Sequence, residues 1–327
     1  MPSRLKTFAL KINKHLYPEE IFVILFFFLF GIFFLLQNWQ IIFWDKTLTF
    51  TTINRIMFPM VVFFVLTLFK EAFLPGKIHK KIVGLAFNAA RIWLLLYMAL
   101  IVHMNLKIKV PFINPNLFDE FYYNFDLTFS FLLSPIFYFR DWVQQYIDLG
   151  PLYTWGYETL FLVTFVLLYL TNKKAFRRMF FATILILLVG GVSYSFFPAI
   201  GPFYYSPSHS LYSKEVQEIM LQKYELYKNS GGALYSPAYL IQGIAAMPSL
   251  HTANTFAFLY FIFRYLRRYS LIYIPVFLYI IIDAIYTKYH YSLDIVFGII
   301  LAAICIYFAE VIYAKRERHL DKSPVLV

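Results

Sequence analysis

Long runs of apolar residues alternate with short clusters of Lys and Arg along most of the chain. An α-helix of about 20 residues crosses the hydrocarbon core of a bilayer, and several of these runs reach that length. The pattern predicts an all-α protein, a polytopic membrane helical bundle of about eight spans. The first run is too long for a signal peptide, so it is predicted to be retained. The predicted spans are residues 21–43, 57–69, 82–104, 152–170, 180–197, 251–263, 271–286 and 291–313.

Two stretches between the predicted spans have a different pattern. Residues 107–150 combine prolines and acidic residues with many Phe and Tyr, which favours interfacial or re-entrant helices. In an alternative interpretation, residues 127–139 dip into the bilayer. Within the long segment 198–247, residues 213–229 mix charges with Leu, Ile and Met at helical spacing. That spacing predicts an amphipathic helix on the membrane surface, a candidate lid.

Composition supports the membrane assignment. Hydrophobic residues make up 61% of the 327 residues and charged residues only 14%, compared with about a quarter in soluble domains. The net charge of +11 could indicate a nucleic-acid partner, but the basic residues cluster in short loops beside apolar runs. The chain has one cysteine, Cys305, so no intrachain disulfide can form.

The distribution of basic residues predicts the topology. If both termini are cytoplasmic, 19 of the 29 Lys and Arg residues lie in cytoplasmic segments, although the outer segments are longer. This excess is the positive-inside pattern of a protein in the plasma (inner) membrane. The segment 198–247 is then extracytoplasmic, as are the ends of the spans that begin near His251 and His290.

Two histidines at the predicted outer ends of spans are the strongest candidates for chemistry. Asp294 follows His290 by one helical turn, so its carboxylate can hydrogen-bond the His290 ring and favour one tautomer. Ser249 and His251 follow a proline at the start of another helix, where free backbone amides attract anions. Each histidine alone could simply end a helix at the interface. The pair, with Ser249 and Asp294 beside it, favours a catalytic site.

These residues carry a resemblance to a known family. P-S-L-H at 248–251 and H-Y-S-L-D at 290–294 resemble the second and third signatures of the type 2 phosphatidic acid phosphatase superfamily. The resemblance covers about half of the chain and is closest to the inositol phosphorylceramide synthase and sphingomyelin synthase branch, whose third signature is H-Y-[ST]-x-D.

The resemblance implies a role for each residue of the two motifs. It implies that His290 attacks phosphorus and forms a phosphohistidine, that Asp294 orients His290, that His251 is the general acid and that Ser249 binds phosphate. It implies no metal and no other cofactor. It divides the chain into N-terminal spans and an interfacial segment (1–150), a phosphatase- or phosphotransferase-like membrane core (151–314) and a cytoplasmic tail (315–327).

The first signature, K-x6-R-P, departs from the family pattern. The corresponding segment has Gly201 before Pro202, where the signature has arginine, and Tyr194 where it has lysine. We take Gly201, Pro202 and nearby Tyr204 as candidate substrate-binding residues.

The third signature also lacks basic residues. The Ser-Arg pair that usually precedes its histidine is replaced by Asp283 and Ala284. Lys288 is a candidate substitute cation for substrate binding; the alternative is a lysine that snorkels to the interface.

Two other polar residues of the spans have a structural interpretation. Arg91 lies within a span, where a charge is usually paired, so it is expected to meet Glu158 or Asp283 or to serve a headgroup pocket. His103 lacks a partner nearby in sequence, and interface packing or exposure is expected for it.

Together these observations predict a metal-independent enzyme that transfers or hydrolyses a phosphate-linked lipid headgroup, similar to inositol phosphorylceramide synthase. One alternative is a lipid phosphate phosphatase that acts on phosphatidate or an isoprenyl phosphate. A second alternative is a non-catalytic lipid-binding or lipid-translocating relative, since basic ligands are missing. The predicted partners are membrane lipids: a phospholipid or lipid phosphate donor and, for transfer, a lipid hydroxyl acceptor. No nucleic acid is expected.

Overall fold

A computed structural model describes residues 16–43, 62, 65, 78–208, 210–231 and 247–321. All regular structure in these ranges is helical, which confirms the all-α prediction. The α-helices are α1 (Pro18–Leu36), α2 (Ile78–Ile113), α3 (Asp119–Thr128), α4 (Ser130–Gln144), α5 (Gly150–Thr171), α6 (Lys173–Ser193), α7 (Leu211–Asn229), α8 (Leu250–Tyr265), α9 (Ser270–Tyr286) and α10 (Ser292–Asp321).

Six of the described helical segments are long and apolar enough to cross a membrane. They lie in α1, α2, α5, α6, α9 and α10, and they make the chain a multi-pass integral membrane protein. Helix α8 has only 16 residues and packs inside the bundle. The predicted span 57–69 lies outside the described residues, apart from two of its positions.

Two helix boundaries differ from the prediction for local reasons. The side chain of Asn172 accepts a hydrogen bond from the backbone N–H of Ala175 at 3.0 Å, so α6 starts at Lys173 rather than near residue 180. Helix α2 continues past the predicted end at 104, because Ile108 and Val110 are buried in the bundle. The C-terminal end of α2 therefore adds about two and a half turns of helix beyond the predicted span.

Helix α6 forms the centre of the bundle. It is buried on most of its surface and packs against α2, α5, α8 and α10. The short helix α8 packs against α5, α6, α9 and α10. Helices α8 and α10 are neighbours, and a backbone hydrogen bond joins their N-terminal ends. His251 lies in the first turn of α8, and His290 comes just before α10.

Helices α4 and α7 lie at the edge of this bundle. Helix α4 packs on α9, while its opposite side exposes large apolar side chains such as Leu132, Phe139 and Trp142. Exposed aromatic side chains on short helices are typical of the membrane interface. Helix α7 packs on α5 and ends before Gly231, which has a left-handed φ of 61°. The proposed lid role of α7 stays a prediction.

The buried ion pairs differ from those expected. Arg91 pairs with Glu20 of α1, with an Nε–Oε1 distance of 2.7 Å, and so joins α1 to α2. Asp283 pairs with Arg140 of α4, with an Nε–Oδ1 distance of 3.0 Å, and both side chains are almost fully buried. Sequence separation hides such partners, because helix packing alone decides which polar side chains meet.

Candidate functional site

The N-terminal ends of α8 and α10 are joined through their backbones. The N–H of Ser249 donates to the carbonyl of Asp294 at 3.0 Å. The contact requires glycine at 298, since a Cβ there would lie 2.6 Å from the carbonyl oxygen of Ser249. This close approach brings the P-S-L-H and H-Y-S-L-D motifs together.

His290 and Asp294 meet as the helical spacing predicts. His290 Nδ1 lies 3.3 Å from Asp294 Oδ2, which also accepts the backbone N–H of Tyr291 at 2.8 Å. The backbone N–H of His290 donates to the carbonyl of Ala284 at 3.1 Å, and this bond holds the backbone before α10 in place. His290 is 7% exposed and Asp294 is fully buried. The carboxylate can therefore hold the ring with Nδ1 turned toward Asp294.

His251 faces His290 and is enclosed by aromatic rings. The centroids of the two imidazoles are 6.4 Å apart. The ring of Tyr157 lies edge-on at 4.4 Å from that of His251, and the ring of Tyr153 lies at 5.4 Å. Both tyrosines belong to α5, and the sequence analysis did not select them. Aromatic residues are so abundant in this chain that only their position in space distinguishes them.

Ser249 is the N-cap of α8. Its hydroxyl oxygen accepts hydrogen bonds from the N–H of Thr252 at 3.4 Å and from Thr252 Oγ1 at 3.1 Å. Because both bonds use the oxygen as an acceptor, the hydroxyl proton remains available to donate to an anion. Ser249 thus lies at a helix N-terminus beside His251, in a position suited to binding an oxyanion.

A short 3₁₀ turn, Pro202–Tyr204, follows Gly201. The backbone before this turn packs against the backbone that leads to His290. Gly201 has a φ of 129°, and a Cβ there would lie 2.9 Å from the carbonyl oxygen of Tyr289. Pro202 is buried, whereas Tyr204 is 45% exposed. Gly201 therefore lies against the backbone of Tyr289, the residue before His290.

Asp119 connects that segment to the H-Y-S-L-D motif, and the sequence analysis missed it. Its carboxylate accepts the N–H groups of Ile200 and Gly201 at 2.9 Å and the hydroxyl of Tyr291 at 2.8 Å. Burial raises the pKa of Asp119, and the two amide donors act in the opposite direction. No sequence signal distinguishes Asp119 from the other acidic residues of 107–150.

Lys288 points toward α3 and α4. It adopts a left-handed φ of 61°, and its Nζ lies 4.8 Å from the centroid of the Phe137 ring. Burial lowers the pKa of Lys288, and the nearby charge of Asp126 acts in the opposite direction. Asp126 in turn accepts the N–H of Ser292 at 3.2 Å. The charge of Lys288 thus already has an acidic neighbour.

The arrangement can support chemistry on one small group held between two imidazoles. One ring is hydrogen-bonded to a buried carboxylate, and the other lies across a gap at the start of α8. In the described part of the chain, no group of three or more His, Cys, Asp or Glu side chains is placed to hold a metal ion.

Comparison with known proteins places the motifs in a family. A family model described as the PAP2 superfamily matches residues 126–308, more than half of the chain. No curated protein and no solved structure matches the chain.

Proposed function

The chain belongs to the PAP2 superfamily, and from this premise we propose that it is a lipid phosphotransferase or phosphatase with His290 as its nucleophile. The observation that carries the proposal is the pair of imidazoles 6.4 Å apart, of which His290 lies 3.3 Å from the Asp294 carboxylate. The substrate is a phosphate-linked lipid headgroup.

The first step forms a phosphohistidine. His290 donates a hydrogen bond from its Nδ1–H to Asp294, which favours the tautomer whose Nε2 lone pair attacks phosphorus. The bond between phosphorus and the leaving oxygen breaks as the Nε2–P bond forms. His251, as an imidazolium, gives its proton to that oxygen, and Ser249 donates a hydrogen bond to a phosphate oxygen. Asp294 stabilises the positive charge that develops on His290.

The second step returns the enzyme to its starting state. A hydroxyl group attacks phosphorus, and the now neutral His251 accepts the hydroxyl proton. The N–P bond breaks and its electron pair returns to His290 Nε2. If the hydroxyl belongs to a lipid, the product is a new phosphodiester. If it belongs to water, the product is a phosphate.

Transfer is favoured over hydrolysis by the surroundings of the histidines. His290 and Asp294 are almost fully buried, and aromatic rings surround His251. Exclusion of water protects a reactive intermediate from hydrolysis. This supports our proposal that the activity is similar to that of inositol phosphorylceramide synthase, with a lipid hydroxyl as acceptor. The phosphatase alternative uses the same residues with water as the acceptor.

We also propose that residues 151–314 form the catalytic core and that its site opens to the extracytoplasmic side of the plasma membrane, with both termini cytoplasmic. The excess of basic residues in the cytoplasmic segments supports this orientation. Residues 1–150 supply further spans, of which α2 packs directly on α6.

Mass spectrometry of membrane lipids after expression tests the function. A new phosphodiester lipid would identify transfer, and loss of a lipid monophosphate would identify hydrolysis. The matched control is His290→Ala, which should leave the lipid profile of the host unchanged. An unchanged profile with the wild-type protein, over a range of added lipid phosphates, would favour a non-catalytic lipid-binding protein.

A further inference from the structure

Lys107 lies near the outer end of α2, on the side of that helix that packs against α6. Its Nζ is 5.7 Å from the centroid of the Tyr194 ring, at the end of α6. The ring of His103, one turn earlier on α2, is also 5.7 Å from the Tyr194 ring. His103 Nδ1 lies 3.0 Å from the carbonyl oxygen of Leu187. Lys107 thus enters the bundle close to the last turn of α6.

Lys107 differs from the other cations that enter the bundle. Arg91, Arg140 and Arg177 each have a carboxylate oxygen within 3.0 Å. Among the described residues, no carboxylate lies within ion-pair distance of the Lys107 ammonium. A partly buried ammonium beside an aromatic ring has lost part of its hydration, so an anion at this position would be bound favourably.

The end of α6 brings Lys107 to the start of α8. Tyr194 lies one helical turn beyond Gly190. A Cβ added at Gly190 would clash with the side chain of Leu250, the residue before His251. Tyr194, whose ring lies beside the ammonium, stands where the first signature of the family has a lysine. Lys107 of α2 therefore places a cation beside position 194, where the family signature has a lysine.

We propose that Lys107 binds a phosphate oxygen of the substrate, as a substrate-binding residue supplied by α2 from outside the matched family segment. The inference rests on the proposed function. It also explains how a site with Tyr194, Asp283 and Ala284 can hold an anion. Lys288 is less suited to this role, since its Nζ lies over Phe137 and close to the charge of Asp126.

Binding of orthovanadate, which mimics a phosphoryl group during transfer, tests the proposal without turnover. The purified full-length protein in detergent is titrated with orthovanadate, and the thermal unfolding midpoint is followed. We expect Lys107→Met to bind about 10- to 100-fold more weakly, as for loss of one charge-assisted hydrogen bond. Lys107→Arg keeps the charge and should bind within about threefold of wild type.

Lys109 is the matched control. It lies two residues further along α2, where its Nζ is 5.5 Å from the ring of Trp39 and 5.6 Å from that of Phe112. Lys109→Met removes the same charge from the same helix and should not change orthovanadate binding. Adding Tyr194→Lys to Lys107→Met should restore binding, because it returns a cation to the same place. This double variant also tests the proposal if Lys107→Met alone is unstable.

The outcomes separate this inference from the proposed function. Wild-type binding by Lys107→Met, or equal loss in Lys109→Met, would overturn the role of Lys107 whatever the turnover. If orthovanadate binding needs Lys107 but the protein converts no lipid, the result would support the anion site and refute the proposed enzymatic function. Dioctanoyl phosphatidic acid should compete with orthovanadate. Failure to compete, while inorganic phosphate does, would refute the assignment to a lipid phosphate.

Discussion

At the scale of single residues, the position of Asp294 determines which nitrogen of His290 faces the carboxylate. Its Oδ2 faces His290 Nδ1 and also accepts the N–H of Tyr291. Its Oδ1 is buried and has no hydrogen-bond partner among the described residues. The carboxylate is thus fixed by the backbone of its own helix start, and the imidazole is oriented by the carboxylate.

Asp294→Asn should leave the protein folded and slow it sharply. The amide oxygen of asparagine can still accept the N–H of Tyr291, but an amide neither favours the reactive tautomer as strongly nor stabilises an imidazolium. We expect turnover of a lipid phosphate to fall by about 10²–10⁴-fold, with a melting temperature close to wild type. Full activity would mean that Asp294 only interacts with the helix dipole.

His251 and His290 should differ in how strongly they depend on the leaving group. A lipid alkoxide needs a proton to leave, so His251→Ala should lose about 10²–10⁴-fold on a lipid substrate. A nitrophenolate leaves without a proton. On a nitrophenyl phosphate ester, His251→Ala should therefore regain much of the rate of the first step, whereas His290→Ala should not.

Single-turnover release of nitrophenol measures this first step separately from breakdown of the intermediate. Equal defects of the two variants on the activated ester would contradict the division of roles. Recovery of His290→Ala alone would reverse the assignment of nucleophile and acid.

At the scale of elements, the backbone around Gly201 supports the residues that precede α10. The combination of φ 129° and ψ 164° at Gly201 is one that side chains rarely tolerate. The N–H of Phe203 donates to the carbonyl of Lys288 at 3.1 Å, and the N–H of Gly201 donates to Asp119. The segments that contain Asp119, Gly201 and Lys288, which are distant in sequence, therefore meet beside the backbone that leads to His290.

Gly201→Ala should disturb this support. The added Cβ would lie 2.9 Å from the carbonyl oxygen of Tyr289, and the backbone conformation would be strained by about 1–3 kcal/mol. We expect a lower melting temperature and a roughly 10- to 100-fold loss of activity from the displaced His290. The control is Gly31→Ala in α1, where an added Cβ meets no atom within 4 Å. If both variants behave like wild type, the segment does not position His290.

At the scale of the whole molecule, two sets of ion pairs lie at the end of the bundle opposite the histidines. Arg177 pairs with Glu19 of α1, and Arg178 pairs with Glu310 and Glu317 of α10. The predicted cytoplasmic cations thus also tie together the ends of three spans.

Labelling with a membrane-impermeant maleimide tests this orientation. Glu218, exposed on α7, is predicted to be extracytoplasmic, and Lys315, exposed on α10, is predicted to be cytoplasmic. In intact cells, Glu218→Cys should be labelled and Lys315→Cys should be labelled only after lysis. The native Cys305 is 3% exposed and should remain silent. The reverse pattern would place the site on the cytoplasmic side.

The sequence by itself determined the class of protein, most of the helices and the pairing of His290 with Asp294. These features depend on local physics: apolar runs of membrane length, and side chains one helical turn apart on the same face. The motif resemblance also led to the superfamily that the family match shows.

Only the tertiary structure decided which distant side chains surround the two histidines. Helix packing brings Tyr153 and Tyr157 of α5 and Asp119 of α3 to the two histidines or to the residues that support them. The partners of Arg91 and Asp283 were decided in the same way. In a bundle, helices far apart in sequence become neighbours because their apolar surfaces are complementary and small residues let their backbones approach closely. That fit depends on all the helices at once, so no single stretch of sequence contains it.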